Sequence, residues 1–225
     1  MDTILTYLRQ LEANNNKTWF DAHKSEYQEA RAHFNAIVEK LIDGIVAFDP
    51  SVRGVGIKES TYRIHKDMRF SKDALPYKTH FGAFICRGGK KSSYSGYYFH
   101  IGTGSGEEYP SKSFLAVGNY YMEPKVLKIL REDIELGGGD FDRIIKGLHP
   151  LLSLDQDQKL KRAPLGFAAD GPYIEYVKLK NFCLSGLYDD TNLDIEEILK
   201  VFESAKPFLD YINRAIEYSR EEDIL

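Results

Sequence analysis

Apolar positions along the chain change period twice. Ile4, Leu5, Leu8 and Leu11 recur at the spacing of one helix face, and the run Asn14, Asn15, Asn16 favours a turn, so the first helix is predicted to stop there. A second helix is predicted to follow at once. Thr18 is placed to cap it with Asp21 three residues on, and Phe20, Tyr27, Phe34, Leu41 and Phe48 recur every seven residues with Val38 and Ile45 between them, one long apolar stripe that ends near Asp49 and Pro50.

Beyond Pro50 the pattern becomes strand-like. Ser60 to Phe70, Thr79 to Arg87, Tyr94 to Ile101 and Ser113 to Tyr121 are rich in aromatic and β-branched residues and are separated by Gly, Ser and Lys clusters, as expected of strands joined by hairpins or short loops. Helical spacing returns at Pro124 with Leu127, Leu130 and Ile134, which Gly137, Gly138 and Gly139 are expected to break before a short helix over Asp140 to Leu148. After Pro150 the chain reads as irregular until Leu193, where Ile195, Ile198, Leu199 and Phe202 begin a helix that is interrupted near Pro207 and resumes through Leu209, Ile212 and Ile216. The expectation is an α+β fold, a central, mostly antiparallel sheet bracketed by N-terminal and C-terminal helices. With no repeat or linker-like segment, residues 1–225 are read as a single domain.

Composition alters this picture in one place. The chain is 225 residues long with a formal charge of −4. Between Lys58 and Lys91, nine basic residues face three acidic ones; that local balance of +6 leaves −10 for the rest. An acidic body with one basic segment argues against binding long nucleic acid and suits a focused site for a small anion bearing phosphate or carboxylate.

If Tyr62 to Phe70 is extended, alternation puts Arg63, His65, Asp67 and Arg69 on one face and Tyr62, Ile64, Lys66, Met68 and Phe70 on the other. Such a row of charges is costly to bury unless each meets a partner or a ligand. The turn SKDALPYK places Lys72 and Lys78 at the same mouth; the next strands bring His80, Tyr98 and His100, which supply possible general acids and bases. The candidate anion ligands are therefore Arg63, Asp67, Arg69, Lys72 and Lys78, with Lys161 and Arg162 able to join from a distant loop. If the protein is an enzyme, hydrolase or transferase chemistry through His80, Tyr98 or His100 is the natural class. Two other readings stand beside this one: a salt-bridge brace of Arg63, Asp67, Arg69 and Asp73, and a non-catalytic module whose basic edge docks an acidic partner.

The spacing RIHKDMRFSKDALPYKTHF resembles the hallmark of an uncharacterised family, domain of unknown function 2461. The opening LEANNNKTWFDAHKSEY resembles that family's start; LKRAPLGF and VKLKNF resemble its later Lys-Arg-x-Pro-x-Gly segment and lysine-bearing strand. On this resemblance Asn15, Trp19, Phe20, Arg63, Asp67, Arg69, Phe70, Ser71, Lys72, Asp73, Pro76, Tyr77, Lys78, Lys161, Arg162, Pro164 and Gly166 occupy motif positions. Lys66 and Ala74 depart from it, standing where the family often has Arg and Lys. The resemblance implies no particular reaction.

Other chemistry finds little support. GTGSG at Gly102 to Gly106 is followed by Glu107, Glu108, Tyr109 and Pro110 where a phosphate loop needs a helix start, so a hairpin turn is the better reading. The six histidines include no HExxH, and no metal or cofactor is expected. Cys86 and Cys183 are far apart and form no CxxC pair, which fits a reducing compartment. No leader pattern or membrane-length apolar run is present, and a cytoplasmic location without membrane contact is expected.

Overall fold

The structure is a computed structural model, which describes residues 1–67, 75–104, 112–189 and 194–222. The first helix, α1 (Asp2–Ala13), buries Ile4, Leu5, Tyr7, Leu8 and Leu11. The short helix α2 (Lys17–Ala22) is capped by Asn16, whose side chain accepts from Trp19 N at 2.9 Å, so the expected Thr18 cap is corrected by two residues. Both residue types can cap, but Asn16 has the extended backbone that lets its side chain turn back onto the first free N–H groups. The heptad stripe then runs along α3 (Lys24–Phe48), where Phe34, Val38, Leu41 and Ile45 are buried. A 3₁₀ turn, Pro50–Val52, and α4 (Ile57–Ser60) lead to the sheet.

Among the described residues five antiparallel strands, β1 (His80–Ile85), β2 (Gly96–Gly102), β3 (Phe114–Asn119), β4 (Ser153–Leu154) and β5 (Phe182–Leu187), are arranged in the order β1-β2-β3-β5-β4. Among the described residues, the segment expected as a strand from Ser60 to Phe70 is corrected: Ser60 ends α4, and Thr61 to Asp67 forms only isolated bridges, Thr61 with Ala83 and His65 with Tyr77. The alternation itself survives through residue 67, with Arg63, His65 and Asp67 exposed and Ile64 buried.

The glycine run does not end the helix after Pro124. The helix α5 (Pro124–Lys146) passes through it with a kink at Gly137 (φ −137°, ψ 29°). A Cβ on Gly138 would stand 2.3 Å from the Tyr173 ring, so this glycine serves the close approach of the segment before α6 (Ile174–Val177). The last helices are α7 (Ile195–Ser204) and α8 (Lys206–Glu222), with Pro207 in the first turn of α8, where a missing N–H is harmless.

One hydrophobic cluster joins these layers. Phe34 packs on Phe81 and Phe99, Phe202 on Tyr97, and Phe141 on Phe182, all on the same face of the sheet. α5 and α8 pack lengthwise against each other at one side of this layer.

Candidate functional site

Register assigns the sheet two unlike faces. Phe81, Ala83 and Ile85 of β1 and Tyr97, Phe99 and Ile101 of β2 point into the helical core and are buried. The intervening residues, His80, Gly82 and Phe84 of β1 and Tyr98 and His100 of β2, share the opposite face with Phe114 of β3, because side chains alternate along each strand.

On that face three of the candidate side chains meet. Gly82 pairs with His100, and His80 is its diagonal neighbour, with ring centroids 4.5 Å apart. Tyr98 Oη lies 3.1 Å from His100 Nδ1. Phe114, directly opposite His100, closes the other side with ring centroids 4.6 Å apart. His100 is 1% exposed, whereas His80 is only partly buried. Gly82 makes this possible, since a Cβ there would stand 2.5 Å from Tyr98 Oη. Burial, with Tyr62 nearby, pushes the Tyr98 phenol up, so it stays protonated at physiological pH.

The basic segment borders this cluster. Tyr62 N donates to Gly82 O at 3.0 Å, which sets residues 61–62 beside the free edge of β1; Lys66 N to Pro76 O (3.0 Å) and Lys78 N to Ile64 O (2.8 Å) close a short ladder. Three contacts fix this ladder to the N-terminal helices. Asn15 Nδ2 donates to Tyr77 O at 2.9 Å, and Tyr77 N donates to Asn15 Oδ1 at 3.1 Å. Phe20 stacks on Tyr77 with centroids 4.1 Å apart. Arg31 of α3 donates to Tyr62 O at 3.0 Å with its guanidinium over Phe34 and Phe81; burial lowers its pKa. The Tyr62 ring in turn meets Tyr98 edge-on and carries the Lys78 ammonium 5.6 Å from its centroid.

Of the residues singled out from the sequence, His80, Tyr98, His100 and Lys78 thus fall in one connected group. Arg63 is exposed on the adjoining ladder and makes no ion pair with a described residue; Asp67 is exposed at the ladder's end. Arg69 and Lys72, with Met68, Phe70, Ser71, Asp73 and Ala74, lie outside the described residues, as do the loop residues Ser105 to Ser111. Lys161 and Arg162 follow β4, at the opposite edge of the sheet from β1, where Leu160 N is bonded to Lys178 O ahead of β5.

Gly82, Tyr62, Phe114 and Arg31 are the participants that spacing did not single out. Gly82 carried a signal, a lone glycine inside a strand opposite a histidine, which marks close approach. Two clefts lie elsewhere, one between α5 and α8 and one beside the start of α5. Among the described residues no group of three His, Cys, Asp or Glu side chains is placed to hold a metal, and no helix is long and apolar enough to cross a membrane. Burial, reinforced by Asp155, pushes the Cys183 thiol up to about 12, and burial also raises Cys86.

No curated protein and no solved structure matches the chain. Residues 3–211, from α1 into α8, match one family, described as a conserved hypothetical protein. That span takes in the Asn15 clamp, the ladder and the histidine cluster together, and the chain belongs to the conserved hypothetical protein family DUF2461.

Proposed function

We propose that the sheet face carrying His80, Tyr98 and His100 binds a small anion bearing phosphate or carboxylate, with Lys78 and Arg63, and with them the Arg69 and Lys72 of the same basic segment, supplying the positive charge. The observation that carries this reading is the contact between Tyr98 Oη and His100 Nδ1, with His80 against the same imidazole. Structural histidines do not need a second imidazole and a buried phenol in contact beside a run of cations; a site that transfers protons on an anionic substrate does.

In that arrangement the protonated phenol donates to Nδ1, which in a neutral imidazole puts the ring proton on Nε2. His80, less buried, is the group that meets the ligand, and the cations stabilise negative charge developing on it. Hydrolysis or group transfer is the chemistry that such a set serves.

A thermal-shift screen of phosphate, nucleotides, sugar phosphates and dicarboxylates, each matched in ionic strength by chloride, tests the proposal. A bound anion raises the melting temperature by mass action on the native state. Arg63→Ala is expected to melt near wild type without ligand, and both Arg63→Ala and Lys78→Ala to lose most of the rise. No rise with any anion, or an undiminished rise in both variants, would sink it.

The exposure of Arg63 favours a second reading, in which the ladder is a docking edge for an acidic protein partner. The two readings part at His100: His100→Asn leaves docking by the ladder intact and abolishes anion binding on the sheet face.

A further inference from the structure

The outward side of α5 carries a stripe that is self-complementary end for end. Lys125, Lys128, Ile129, Glu132, Asp133 and Leu136 follow one another by alternating steps of three and one, so they line one side of the helix, and they form one wall of the open cleft between α5 and α8. Leu136 is 89% exposed and Tyr218, on the α8 wall, 53% exposed, two large apolar side chains left in water at one cleft. The charges run against the helix dipole. Two lysines occupy the first turns, where anions are favoured, and the acids come after them. Within the chain Lys125 Nζ donates to Ser219 O at 2.8 Å, whereas Lys128 to Glu132 (3.6 Å) and Arg214 to Asp133 (3.9 Å) are exposed pairs, a class that contributes little to stability.

Reversing the helix about the midpoint of this stripe sets Lys128 opposite Asp133, Ile129 opposite Glu132 and Lys125 opposite Leu136. We propose that the α5–α8 cleft is a two-fold interface that takes a second copy of this chain, helix against helix and antiparallel. A patch that is its own complement under a two-fold rotation is what an isologous dimer requires, and a different partner gives no reason for the palindrome. Each Lys128 pairs with the partner subunit's Asp133, the Ile129 side chains and the Lys128 stems cover the centre, and Leu136 and Tyr218 leave water at both ends, with the Lys125 stem opposite Leu136. The stripe spans about three turns of helix, or ~17 Å, so the interface belongs to the small, weak class, with a dissociation constant on the order of micromolar and a clear dependence on salt.

Sedimentation velocity of the full chain over a concentration series, at low and high salt, tests this. The expected result is a reversible monomer–dimer equilibrium that weakens as salt rises. Leu136→Asp and Lys128→Glu are each expected to raise the dissociation constant about tenfold or more without lowering the melting temperature, because both positions are exposed. The double variant Lys128→Glu with Asp133→Lys exchanges the charges on both copies and is expected to restore the wild-type constant. A wild-type chain that stays monomeric throughout, a Leu136→Asp variant that dimerises as wild type does, or a double variant no better than Lys128→Glu alone would each overturn the proposal.

Discussion

Tyr98 reaches across its neighbouring strand and places its hydroxyl 3.1 Å from His100 Nδ1, in the space that the missing side chain of Gly82 leaves open. The contact is therefore set by three residues on two strands. Gly82→Ala puts a methyl 2.5 Å from Tyr98 Oη and must move the phenol. It is expected to cost about 1–3 kcal/mol and to shift the His100 ring resonances in the same direction as Tyr98→Phe does. Urea unfolding and imidazole NMR spectra of both variants check this; unchanged His100 resonances in Gly82→Ala would show that the phenol does not depend on the gap.

Asn15 acts as a backbone surrogate, making with its amide both hydrogen bonds that a strand partner would make to Tyr77. Asn15→Ala leaves a buried N–H and a buried carbonyl unpaired and is expected to lower stability by about 2–4 kcal/mol. Asn15→Asp keeps the acceptor but turns a second acceptor toward Tyr77 O, so it is expected to be no better. Denaturant midpoints decide; a loss below about 0.5 kcal/mol would mean that the ladder is held by Phe20 and Arg31 alone.

Two adjacent glycines of α5 make opposite predictions. Gly138→Ala drives a methyl into the Tyr173 ring and is expected to cost about 1–3 kcal/mol, whereas Gly137→Ala meets no atom within 4 Å and is expected to change stability by no more than about 0.5 kcal/mol downward. Equal melting temperatures for the two variants would contradict the packing described.

Glu175 accepts from Lys159 and Lys178, and those hydrogen bonds hold its carboxyl down to about 2. A carboxyl whose folded pKa lies below its unfolded value of about 4.3 adds stability that is present above about pH 4.3 and is lost as pH falls toward 2. The stability difference between wild type and Glu175→Gln is therefore expected to be constant near neutrality and to shrink through that acidic window. A difference that does not change with pH would place the effect in packing instead of charge.

The long apolar stripes made the helices legible, because a period of 3.6 repeated over many residues leaves few alternatives. Strands β1, β2 and β3 were legible from their aromatic and β-branched content between Gly, Ser and Lys clusters. β5 was not: FCLSGL is six residues with Ser and Gly in its middle, and only its place between β3 and β4 makes it a strand. The glycine run misled because propensity favours a break there while Tyr173 packs onto Gly138. At the site, alternation alone brought Tyr98 and His100 to one face, whereas the register of β1 on β2 sets His80 beside them. Lys161 and Arg162 could not be placed from sequence, since the insertion of β5 between β3 and β4 decides which edge they occupy.

The most direct measurement of the central claim follows the imidazole resonances of all six histidines while the anion that most raises the melting temperature is titrated in at constant ionic strength. The account predicts saturable shifts at His80 and His100, lost in Arg63→Ala, with His33 and His149 unmoved. Shifts spread evenly over the exposed histidines without saturation, or none at His80 and His100, would contradict it.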